Sequence, residues 1–104
     1  MKCLYEFHYS LLGRIFTAYV LEVEKETELT FRGKVTRSDG EEYSGGFVVK
    51  KEMLDVVKAT REYAYKVVVE ADSLDNALQK AQTLMFEHLS KQVAFIKDAT
   101  IKEY

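Results

Sequence analysis

An α+β domain, with one antiparallel sheet packed against a single long C-terminal helix, is the fold this sequence predicts. Three observations lead to it. Residues 2–50 carry successive runs that alternate apolar and polar side chains, broken by short turn-forming stretches, which is the pattern of half-buried strands. The β-branched run Val67-Val68-Val69 leads into Glu70-Ala71-Asp72-Ser73, and behind that polar stretch the apolar period changes from two to 3.6. The connections between the first four runs are too short for crossovers, so those strands form an antiparallel meander.

The elements follow in order. Cys3, Tyr5, Phe7 and Tyr9 alternate with Leu4, Glu6 and His8, giving a first strand over 2–9. Ser10-Leu11-Leu12-Gly13 is a turn in which Gly13 is free to take positive φ. A second strand covers 14–24, with Ile15, Thr17, Tyr19, Leu21 and Val23 on one face. Its first half is apolar on both faces, which suits a central position. Leu29, Phe31, Gly33 and Val35 form the dry face of a third strand. Asp39-Gly40 is a hairpin turn whose twist matches its flanking strands. A fourth strand runs over 42–50, and Gly45-Gly46 within it marks a bulge or bend.

Met53, Leu54 and Val57 are spaced as one face of a short helix near 51–59. Tyr63, Tyr65, Val67, Val69 and Ala71 give a fifth strand. Asp72 or Ser73 caps the long helix by accepting a bond from an orphan N–H. Leu74, Ala77, Leu78, Ala81, Leu84, Met85, His88 and Leu89 form its apolar stripe, and the helix is expected over 73–92. Val93-Ala94-Phe95-Ile96 then opens a last strand reaching about Lys102, with a bulge near Asp98-Ala99. The sheet thus holds a four-strand meander plus two later strands. All 104 residues form one domain.

Composition narrows the function classes. The formal net charge is −2, with eight basic and nine acidic residues before position 53 and seven and eight after it. No basic half exists to grip phosphates, so nucleic-acid binding is disfavoured. Cys3 is the single cysteine, which rules out an intrachain disulfide and leans toward a reducing compartment. No apolar run approaches the roughly 20 residues of a membrane helix, and Glu6 and His8 interrupt any signal-like core. The expected setting is cytoplasmic, away from membranes. Proline is absent, which argues for long elements joined by short turns.

No chemical motif stands out. A thiol nucleophile needs an imidazole within hydrogen-bond reach, and nothing in the sequence brings Cys3 to His88. Cys3 reads as a small hydrophobe on an aromatic strand face. His88-Glu87 has no companion at metal-ligand spacing, so no metal or other cofactor is expected. The stretch Gly40 to Gly46 contains Glu41 and Glu42, which repel the phosphate that a glycine-rich loop would cradle. Seven tyrosines and six phenylalanines with no tryptophan are the unusual feature. Tyrosine joins apolar area to a polar tip and suits half-buried surfaces. The function expected is therefore a small non-catalytic binding module acting through a protein–protein surface, as adaptor, inhibitor or self-associating subunit. Its partner is another protein or its own copy. Leu11 and Leu12 at the turn tip, with Tyr19, Arg32, Lys34 and Tyr43 on strands two to four, are the candidate contact residues. Two alternatives are a sheet that stacks single-stranded nucleic acid on tyrosines interleaved with basic residues, and a small enzyme with a pocket between helix and sheet.

Overall fold

A computed structural model describes residues 2–37, 42–97, 99 and 101, without the side chains of 37, 42–44 and 95–97. The expected Asp39-Gly40 turn lies outside the described residues, as does Asp98. Strands β1 (Cys3–Ser10), β2 (Ile15–Glu26), β3 (Thr30–Arg37) and β4 (Glu42–Lys50) form the meander. A single 3-10 turn, η1 (Lys51–Met53), leads to the β5–β6 hairpin (Lys58–Arg61 and Ala64–Glu70) and then to helix α1 (Leu74–Lys97). The six strands lie in the order β4-β3-β2-β1-β6-β5, all neighbouring strands antiparallel. The α+β class, the meander, two later strands and the long helix are as the sequence predicts.

The two later strands do not both fall where the pattern puts them. Residues 93–97 continue α1, where alternation suggests a strand. A short apolar run fits either period, and no Gly or Pro stops the helix before it. The second added strand is instead β5, at the end of the segment expected to be a short helix. Only residues 51–53 of that segment wind, and Leu54 pairs with Val68 through a parallel bridge. In the β1–β2 turn the residue with positive φ is Arg14, at 53°. Gly13 instead donates its N–H to Ser10 Oγ at 3.2 Å.

The sheet has an outer face and an inner face, each with its own core. Tyr5, Phe7, Val67 and Val69 point outward and bury Ala77, Ala81 and Met85 of α1. Leu4, Leu21, Phe31, Val49 and Val68 cluster on the inner face. β4 and β6 have three strands between them, about 19 Å if the sheet were flat. Yet the four Cα steps from Lys50 to Leu54 reach from the end of β4 to the β6 edge, a span of at most about 14 Å. The sheet therefore curls over its inner face, and η1 crosses the opening.

Two irregularities let it curl. The β2–β3 register slips between Val23 and Lys25, and the β3–β4 register slips opposite the Gly45 region, as the paired glycines suggest. Such bulges bend and twist a strand pair. One end of the inner face is closed by charge over an aromatic ring. Lys2 and Lys51 hold their ammonium groups 5.1 and 5.0 Å from the Phe31 centroid, and Glu26 bridges them, 3.4 Å from Lys2 and 2.6 Å from Lys51. The bond from Lys51 holds the Glu26 carboxyl below its usual range, and the bond to Glu70 raises Lys2.

Candidate functional site

A helix is about 10–12 Å wide, and strands are about 4.8 Å apart, so one helix covers two to three strands. α1 packs on β6 and β1. The outer face of β2 to β4 is left with Phe16, Ala18 and Val20 only half-buried beside the helix and with Val48 60 % exposed.

The helix itself is apolar over more of its girth than the sheet uses. His88 turns toward β6, where its ring meets Tyr65 edge-on at 5.8 Å. Phe86 sits about 160° around the helix from His88 and is 73 % exposed. Val93, two turns further along the same flank, is 57 % exposed. Leu89 lies between them, half-buried. Phe86, Leu89 and Val93 therefore form an i, i+3, i+7 ridge on the flank away from Tyr65. Large exposed apolar side chains grouped this way mark contact surfaces. The ridge was legible in part, since Phe86 is a ring that falls off the stripe of Leu78, Ala81 and Met85.

The inner face supplies a second, polar group. Across the sheet run Lys58, Lys66, His8 and Thr17, each directly opposite the next. Glu6 lies beside this row, with one carboxylate oxygen 3.3 Å from His8 Nε2 and the other 3.9 Å from Lys66 Nζ. The hydrogen bond from His8 is the main reason its carboxyl is held below the usual range, against the opposing pull of burial. Tyr19 packs edge-on against His8, ring centroids 5.5 Å apart. Sequence patterning could not show this group, because it depends on the pairing of β1 with β6, strands more than fifty residues apart.

The residues proposed from sequence are spread over several surfaces. Leu11 and Leu12 sit at the β1–β2 turn, where Leu11 N–H donates to the Tyr63 carbonyl at 2.9 Å and Leu12 is 78 % exposed. Tyr19 faces inward, among the residues packed on the inner core. Arg32 and Lys34 lie on the outer face, exposed, with Lys34 3.9 Å from Glu24. The Tyr43 side chain lies outside the described residues. Tyr19 thus occupies the face opposite Arg32 and Lys34. Cys3 is half-buried beside the outer core, whereas His8 is on the inner face and His88 on α1. Among the described residues no group of three or more His, Cys, Asp or Glu is placed to hold a metal ion. No helix among them is long and apolar enough to cross a membrane.

No family model matches the chain, and comparison with curated proteins and with solved structures finds no significant match.

Proposed function

We propose that this protein is a non-catalytic, self-associating module whose contact surface is the exposed flank of α1 together with the uncovered outer strands. The observation that carries the reading is the exposed Phe86–Leu89–Val93 ridge of α1, on the same outer side of the sheet as half-buried Phe16, Ala18 and Val20. A ridge and an apolar shelf on one side of a molecule are what a two-fold contact needs, because each copy offers the ridge to the shelf of the other. Burying one Phe or Val side chain contributes roughly 1.5–3 kcal/mol, and a two-fold axis doubles every such contact. The small net charge of −2 puts little repulsion between copies.

Light scattering after size exclusion, at two concentrations, tests the reading. The expected mass is twice the 12.0 kDa of the chain, falling on dilution, and Phe86→Glu is expected to give the single-chain mass at both concentrations. A single-chain mass for the unaltered protein at the higher concentration would refute self-association. If the chain stays single yet Phe86→Glu alone loses a captured partner, the surface serves a different protein.

A further inference from the structure

We infer that the mouth of the inner face binds a small monoanion with an apolar body, of the medium-chain carboxylate class, between Lys58 and Lys66. A cleft of about 350 Å³ opens there between the end of β4, η1 and β6. Val49, Met53, Val56 and Val68 line it with apolar surface, and Lys50, Lys58, Lys66, Glu6 and Glu52 supply its charges. Three cations against two carboxylates leave one net positive charge, which matches one carboxylate head. A phosphate ester carrying nearly two charges would be opposed by Glu6 and Glu52. The volume is near the lower end of small-molecule sites, about 300–1,000 Å³, so the apolar body is short.

Strand pairing gives the second argument. Lys58 and Lys66 are direct cross-strand partners, an arrangement of like charges that destabilises a sheet when nothing lies between them. Glu6 answers this poorly. Its nearer oxygen is 3.9 Å from Lys66 Nζ, beyond hydrogen-bond reach, and its other oxygen faces His8. Among the described residues Lys58 and Lys50 form no ion pair. A carboxylate set between Lys58 and Lys66 accepts a charge-assisted bond from each and removes their mutual repulsion. Its chain then lies along Val68, Met53 and Val56. This site is on the face opposite the α1 ridge, so it stands independently of self-association.

Octanoate titrated into ¹⁵N-labelled protein, followed residue by residue in amide correlation spectra, tests the assignment. Saturable shifts are expected in η1, β5 and β6. Lys58→Gln, an exposed change that leaves the core intact, is expected to weaken binding about tenfold or more. Neutral 1-octanol, with the same chain, is expected to bind at least about tenfold more weakly than octanoate. No saturation by about 1 mM octanoate would overturn the proposal. So would equal affinity in a folded Lys58→Gln variant, or shifts confined to the Phe86–Val93 flank of α1.

Discussion

Gly33 sits where β2 presses hardest on β3. A Cβ at this position would run into the Glu22 carbonyl, and the carbonyl cannot retreat because it belongs to the bulged strand that curls the sheet. Gly33→Ala is therefore expected to destabilise the fold by about 1–3 kcal/mol, read as a lower denaturant midpoint with an unchanged slope. In the sequence this glycine looks like a weak member of an alternating strand. Its reason lies in another strand's backbone, so alternation alone could not supply it. Glu6 makes a pH-dependent prediction. Its carboxyl is held low, chiefly by the His8 hydrogen bond, so its stabilisation is complete above the normal carboxylate range and is lost as pH falls through the lowered value. Thermal melts of Glu6→Gln should thus lie below those of the unaltered chain at neutral pH, and the gap should close as pH drops below about 4. A gap that widens in acid would contradict the assigned contact.

At the scale of the element, α1 carries most of what the sequence disclosed. The cap is present: Ser73 Oγ accepts the Asn76 N–H at 3.1 Å, and Asp72 accepts from the Asn76 side chain at 2.6 Å. Ser73→Ala should cost about 1 kcal/mol. The stripe is present from Ala77 onward, with Ala77, Ala81 and Met85 buried on the outer core, whereas Leu74, expected at its start, is exposed. Met85→Ala should cost about 2–5 kcal/mol, whereas Phe86→Ala, measured in dilute solution, should change stability by no more than about 0.5 kcal/mol. Chemical denaturation of the two variants side by side checks which helix flank faces the sheet. Equal losses at both positions would contradict the packing. The C-terminal end was less legible. Leu89, Gln92 and Ile96 keep the helical period while Val93 to Ile96 also read as a strand, and local sequence does not choose between them. β5 was hidden for a related reason. Lys58-Ala59-Thr60-Arg61 is exposed throughout, so it shows no alternation, and only pairing with β6 makes it a strand.

The whole molecule is a curled sheet with a core on each side and one helix too narrow to cover the outer face. That mismatch leaves the Phe86–Val93 ridge exposed and Phe16, Ala18 and Val20 of β2 only half-buried. Neither the composition nor the near-neutral charge showed it; the sequence offers only Phe86 as a ring off the buried stripe, and the flank is fixed once His88 is known to turn toward Tyr65. Leu12 offers a control, being a similarly exposed apolar side chain that lies on the β1–β2 turn and not on α1. Sedimentation velocity of the unaltered chain, Phe86→Glu and Leu12→Glu is the most direct measurement of the central claim. The unaltered chain and Leu12→Glu should sediment as a pair of chains and Phe86→Glu as one. A single-chain species for all three, or dissociation by Leu12→Glu instead, would contradict the assignment of the α1 flank as the contact surface.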